Sequence, residues 1–127
     1  MPRYVLLLGS NQDAEAALAR ATAIIERNYG VLRLGEILPS PDRDAGDARP
    51  LYLNCAVEIA SPLPPAELKL AMREIEATCG RIRPMPASGL CALDIDIALM
   101  FVDGVWQVND AKAVAPDYAQ LALSLWL

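Results

Sequence analysis

Tyr4-Val5-Leu6-Leu7-Leu8 is a continuous apolar run that stops at Gly9-Ser10-Asn11, the pattern of a buried strand ended by a turn. Asn11 and Asp13 stand where a polar side chain can cap a helix, and Ala17, Ala21, Ile24 and Ile25 recur on one side of a helix running to about Asn28. Gly30 supplies its left-handed stop, and Val31 to Leu38 reads as a second strand. Pro39 to Pro50 is a polar loop dense in Pro, Gly and Asp. From Leu51 to Ile59 the period becomes that of a strand: Leu51, Leu53, Cys55, Val57 and Ile59 share one face, Tyr52, Asn54, Ala56 and Glu58 the other. Pro64-Pro65 opens a helix whose apolar stripe is Leu68, Met72, Ile75 and Cys79, ended by Gly80. After a second loop, Arg81 to Gly89, a strand runs from Leu93 to Phe101, and Asp103-Gly104 turns the chain into a short return strand, Val105 to Val108.

The order strand, helix, strand, strand, helix, strand predicts an α+β fold, a ferredoxin-like sandwich in which helices flank an antiparallel sheet. With neither an internal repeat nor a linker, residues 1–127 read as a single domain. The chain is 54% hydrophobic, with a mean hydropathy of +0.26. Even so, no apolar run approaches the roughly 18 residues of a membrane span, so a soluble protein with no membrane partner is expected. Met1-Pro2-Arg3-Tyr4 leads straight into the first strand without a separate signal segment, which predicts a cytoplasmic location. A net charge of −5 and a single Phe argue against a nucleic-acid partner, which would call for Lys, Arg and stacking aromatics. Cys55, Cys79 and Cys91 read as reduced thiols, two of them in the core. The absence of His excludes Ser-His-Asp, Cys-His and His-ligated zinc chemistry.

The candidate chemistry lies in Leu93-Asp94-Ile95-Asp96-Ile97-Ala98-Leu99-Met100, because a strand must point Asp94 and Asp96 the same way. Paired carboxylates repel and resist desolvation unless a cation or a wet cleft offsets the cost. Mg²⁺, which takes one or two protein carboxylates and fills its octahedron with water and phosphate, fits that pattern. An edge strand with one polar face accounts for it equally well.

With Gly9-Ser10-Asn11, Tyr52-Leu53-Asn54, Gly80-Arg81-Ile82-Arg83 and Leu93-Asp94-Ile95-Asp96-Ile97 in that order, nearly the whole chain resembles the 6-hydroxymethyl-7,8-dihydropterin pyrophosphokinase family. The resemblance implies transfer of the terminal pyrophosphoryl group of ATP to the hydroxymethyl group of a pterin, a step of folate synthesis, with two Mg²⁺ ions. It implies metal binding by Asp94 and Asp96, pterin binding by Tyr52 and Asn54 with Ser40 and Pro41 at the pocket's loop edge, and nucleotide contacts from Lys112 and Tyr118. Arg81 and Arg83 fall where the family's arginines engage the nucleotide during transfer, and Glu76 matches a family position without an assigned role. Elementary chemistry agrees, since guanidinium donors suit phosphate, Tyr52 suits a flat heterocycle and Asn54 can offer it a donor and an acceptor. The plain structural alternatives are a polar strand face for Tyr52 and Asn54 and a solvated loop for Arg81 and Arg83.

The chain departs from the family pattern in places. The loop before the carboxylate strand has Ser88 and Cys91 roughly where the family carries Trp and Arg. Pro116-Asp117-Tyr118 replaces Pro-His-Tyr, and the Arg and pocket-closing aromatic expected within Ala119 to Ser124 are missing. The family pattern also continues beyond the point matching Leu127, and Asp42, Asp44 and Asp47 make the first loop acidic. Two readings follow: a pyrophosphokinase of reduced activity in which Arg43, Arg49 or Lys112 stands in for the lost cations, or a pterin- or nucleotide-binding regulatory module without efficient transfer. The apolar end, Leu121 to Leu127, must dock on the core or on a partner, so a monomer or a weak homo-oligomer is expected.

Overall fold

The computed structural model describes residues 1–42 and 48–127, so Arg43, Asp44 and Asp47 lie outside the described residues. Its elements run β1 (Arg3–Ser10), α1 (Ala14–Tyr29), β2 (Val31–Leu34), β3 (Leu38–Ser40), β4 (Tyr52–Ala60), α2 (Pro65–Thr78), β5 (Asp94–Val102), β6 (Val105–Val108), α3 (Ala111–Val114) and α4 (Asp117–Ala122). Among the described residues the strands form one six-stranded sheet in the order β2-β4-β1-β5-β6, with β3 paired to β4 beyond β2. Every pairing is antiparallel, as the ferredoxin-like reading requires. Among the described residues no helix is long and apolar enough to cross a membrane.

β1 is central, and its continuous apolar run fills a core on each side of the sheet. Tyr4, Leu6 and Leu8 meet Leu18, Ile25, Leu68 and Met72 of α1 and α2, while Val5 and Leu7 meet Val114, Ala119, Leu123 and Trp126 from the C-terminal segment. The alternation of β4 sorts itself the same way, with Cys55, Val57 and Ile59 under the helices and Ala56 on the other side. In β5 the register against β1 slips between Val5 and Leu6, which pair with Leu99 and Ile97. This bulge at Ala98 reverses the faces, so Ile95 and Ile97 enter the first core while Leu99 enters the second.

The structure corrects several local expectations. The strand expected from Val31 to Leu38 is two strands, broken where Gly35 N–H donates to Ala56 O at 2.8 Å. Leu51 is exposed and precedes β4. Neither Asn11 nor Asp13 caps α1 through its side chain: Asp13 sits at the cap position in a left-handed conformation without such a bond. Asn11 is instead buried, accepting from Cys91 N–H at 2.6 Å, and so ties the end of β1 to the segment before β5. Cys55 and Cys91 are the two buried thiols, with Cys79 half-buried. The C-terminal segment docks by part of its side chains: Ala122, Leu123 and Trp126 are buried whereas Leu121, Leu125 and Leu127 are exposed. Trp126 Nε1 donates to Glu58 at 2.9 Å, and Arg3 meets the same carboxylate at 3.3 Å.

Candidate functional site

Because Ile95 and Ile97 belong to the helix-side core, Asp94 and Asp96 emerge on the opposite face, as the sequence spacing requires. Gly9 lies opposite Asp94 on one side and Asn54 on the other, which places the two sequence motifs on neighbouring strands of one face. A methyl group on Gly9 would lie 3.4 Å from Asn54 Oδ1 and 3.8 Å from the Tyr52 ring, ordinary contact distances that put Gly9 directly beside both side chains.

Each carboxylate is met by a cation from a different side. Arg81 Nη1 donates to Asp94 Oδ1 at 3.3 Å and is anchored by Leu93 O at 3.0 Å. Lys69 Nζ reaches Asp96 Oδ1 at 3.4 Å and Ile95 O at 3.3 Å. Burial, first, and then the charge and hydrogen bond of Asp94 push the Asp96 carboxyl up to about 7, although Lys69 opposes the shift. Burial pushes the Tyr52 phenol up to about 12, with smaller contributions from Cys91, Asp42 and Asp94, so Tyr52 stays a neutral donor. Burial also raises the Cys91 thiol. Arg81 Nε is buried without a hydrogen-bond partner among the described residues.

These side chains border two hollows. A cavity of about 280 Å³ is lined by Ser40, Pro41, Tyr52, Arg81, Asp94 and Tyr118 among others, bringing together six residues singled out in the sequence. Its size suits a bicyclic heterocycle better than a nucleotide. A groove of about 470 Å³ lies beside it, lined by Lys69, Lys112, Asn109 and Asp110 and by the start of α2 at Pro65 and Ala66. The carboxylate pair touches both, with Asp94 on the cavity wall and Asp96 joined to Lys69 of the groove. The bulge helps to build the groove, because Ala98 O accepts from Asn109 N–H at 2.9 Å and holds the turn before α3 against β5.

Besides Asp96, three singled-out residues lie off the cavity wall. Asn54 is buried behind Ser40, its Nδ2 donating to Ser40 Oγ at 2.8 Å and Leu38 O at 3.1 Å. Its donors are therefore engaged within the protein, and only its oxygen is left to serve a ligand. Arg83 points to Glu76, with Nη2 2.7 Å from Oε1, and not into the cavity. Lys112 lies across the carboxylates from the cavity, on the groove. Asp117 is an acidic residue in the first turn of α4, a favourable place for a negative charge.

Sequence reasoning overlooked Lys69, which carries no motif, and left Glu76 without a task. Glu76 is 1% exposed, and its other oxygen accepts from Ile95 N–H at 2.7 Å. Arg49 also enters the site: it pairs with Asp42 at 3.5 Å, and its guanidinium rests against Gly89, where any side chain would overlap it.

The donor set suits a magnesium ion shared with a ligand. Among the described residues no group of three or more acidic, Cys or His side chains could cage a metal alone. Two neighbouring carboxylates, one of them raised to about 7 by burial first and then by the charge of the other, nonetheless favour a cation, and phosphate and water would complete its coordination. With guanidinium and ammonium groups alongside, the arrangement can neutralise a polyphosphate next to a small heterocycle pocket.

The model of one family, 7,8-dihydro-6-hydroxymethylpterin-pyrophosphokinase, matches residues 5–123. No curated relative matches the chain.

Proposed function

The chain belongs to the 7,8-dihydro-6-hydroxymethylpterin-pyrophosphokinase family, and we propose that it transfers the terminal pyrophosphoryl group of ATP to the pterin hydroxymethyl group, at a reduced rate. The observation that carries this reading is the carboxylate pair standing between a heterocycle-sized cavity and a cation-bearing groove, one compartment for each substrate. In the reaction the pterin hydroxyl oxygen bonds to the β-phosphorus, the bond from that phosphorus to the α,β-bridging oxygen breaks, AMP leaves and the hydroxyl proton passes to solvent. Magnesium, held by Asp94 and Asp96 and expected as two ions, would offset charge on the phosphate oxygens.

The chain's own residues bind and orient. Tyr52, as a neutral ring, and Tyr118 both line the cavity, and Asn54 holds Ser40 and so the pocket edge. Arg81 keeps its anchor on Leu93 O when Asp94 turns to a metal, leaving a guanidinium facing phosphate. Arg49, seated on Gly89, brings a cation from the first loop to the loop that has Ser88 and Cys91 in place of Trp and Arg. Arg83 acts through Glu76, and Lys112 serves the groove. With these roles go a cytoplasmic location, a single 1–127 unit and small-molecule partners, the acidic charge of −5 disfavouring nucleic acid.

Incubation with ATP, Mg²⁺ and the hydroxymethyl pterin tests the reading through AMP release. AMP should appear at a rate about 10²–10³-fold below that of a member with the full arginine set, the loss expected when a preorganised charge-stabilising donor is missing. Tight pterin binding without AMP would instead favour a binding or regulatory module, for which the acidic Asp42 on the cavity wall is the motive. Replacing Asn54 by Ala should weaken pterin binding by about 1–3 kcal/mol, through the ring edge and through release of Ser40. An unaltered pterin dissociation constant would remove Asn54 from the site.

A further inference from the structure

On α2 the stripe Leu68, Met72 and Ile75 enters the core, and Lys69, one position round the helix from Leu68, leaves it beside β5. β6 pairs with β5 only from Leu99 onward, so the edge next to Ile95 and Asp96 has no strand neighbour among the described residues. The Lys69 side chain occupies that gap and is 34% exposed. An ordinary surface lysine keeps a mobile, hydrated tip. This one is fixed by acceptors on consecutive residues of one strand, Ile95 O and Asp96 Oδ1.

We propose that Lys69 is a phosphate-binding residue of the nucleotide site and supplies positive charge that the loop over residues 84–92 lacks. This role rests on the pyrophosphokinase reading and adds a residue to it. The argument is one of charge and tethering. Without metal, Asp94 and Asp96 are balanced by Arg81 and Lys69, each cation also holding a backbone carbonyl, Leu93 O just before β5 for Arg81 and Ile95 O within it for Lys69. A divalent cation drawn to the pair takes the carboxylate oxygens, but Ile95 O keeps the ammonium in place. An ammonium has three N–H donors, so those released from Asp96 are free for an anion in the groove. Asp110, the carboxylate that lines that groove, caps α3 by accepting from Lys112 and Ala113 N–H, which directs its oxygen to the helix. Lys112 stands on the same groove and reinforces the positive charge.

Calorimetric titration with Mg²⁺ and a non-hydrolysable ATP analogue tests this in the wild type, Lys69→Met and Lys69→Arg, at low and high salt. Lys69→Met keeps the aliphatic stem and should bind the nucleotide about 10–100-fold more weakly, the effect of losing a hydrogen bond to a charged group. Its salt dependence should also be shallower, while Lys69→Arg restores most of the affinity and pterin binding stays at the wild-type value. Unchanged nucleotide affinity in Lys69→Met, with tighter binding of Mn²⁺ alone, would show Lys69 to be only a counter-ion of the carboxylate pair and would overturn the role. A wild type that binds pterin but no magnesium nucleotide would overturn this role together with the pyrophosphokinase reading, whereas an indifferent Lys69→Met in a nucleotide-binding protein overturns this role alone.

Discussion

An Asp94→Asn, Asp96→Asn double variant should lose magnesium-dependent nucleotide binding and at least about 10³-fold in turnover, because both charges that attract the metal and orient the polyphosphate are removed at once. Calorimetry with Mg²⁺ and an ATP analogue checks the first effect, and AMP release checks the second. Retained magnesium-dependent binding would remove these carboxylates from the metal site. The single variant Asp96→Asn makes the electrostatic cause visible in the metal-free protein. Its carboxyl is raised from 3.8 to about 7 in the fold, so between those values the folded state holds more protons than the unfolded state. Stability therefore falls as pH rises through that window and is lowest above it. Asn carries no such penalty, so Asp96→Asn in EDTA should be more stable than wild type at pH 8 by about 1–3 kcal/mol, a range that allows for coupling to Asp94. The difference should vanish by pH 4. Urea unfolding at both pH values measures it, and an Asp96→Asn protein less stable than wild type at pH 8 would contradict the account.

Glu76→Ala should destabilise the protein by about 2–3 kcal/mol, since it strands a buried donor and empties a buried side-chain site. Glu76 is 1% exposed and lies on α2 against the start of β5, where its carboxylate accepts from Ile95 N–H and from Arg83. Arg83 is 47% exposed and can return to water, so most of the cost comes from Ile95 N–H. Ile95 stands between Asp94 and Asp96, and loosening it moves both carboxylates. Nucleotide affinity with Mg²⁺ should accordingly fall as well, although Glu76 lines neither hollow. Glu76→Gln keeps an acceptor for Ile95 and should recover more than half of the lost stability. Wild-type urea midpoints and metal affinity in Glu76→Ala would refute the strand-anchor role.

Much of this architecture is legible from local pattern. The uninterrupted apolar run at residues 4–8 makes β1 central, the alternation through residues 52–60 sorts β4 between two cores, and the proline-opened stripe Leu68, Met72 and Ile75 gives α2 its buried face. The helices α3 and α4 escape notice because four and six residues are too few for a helical period to show. Their stability comes from Asp110 as a cap, from Pro116 and from packing on the second face of the sheet.

The site divides along the same physical line. A strand's period of two suffices to put Asp94 and Asp96 on one face, and the order of short motifs suffices to suggest the family that matches residues 5–123. Which cations serve those carboxylates is not local information. Lys69 reaches Asp96 across 27 positions of sequence and Arg81 reaches Asp94 across 13, while Asn54 turns its donors to β3 and Arg83 turns to Glu76. Sequence alone determined the central strands, the buried face of α2 and the paired carboxylates, because those follow from backbone periodicity. Tertiary structure decided the partners of each charge and the separation of cavity from groove, because a charged side chain takes the counter-charge that packing brings near it, wherever that residue stands in the chain.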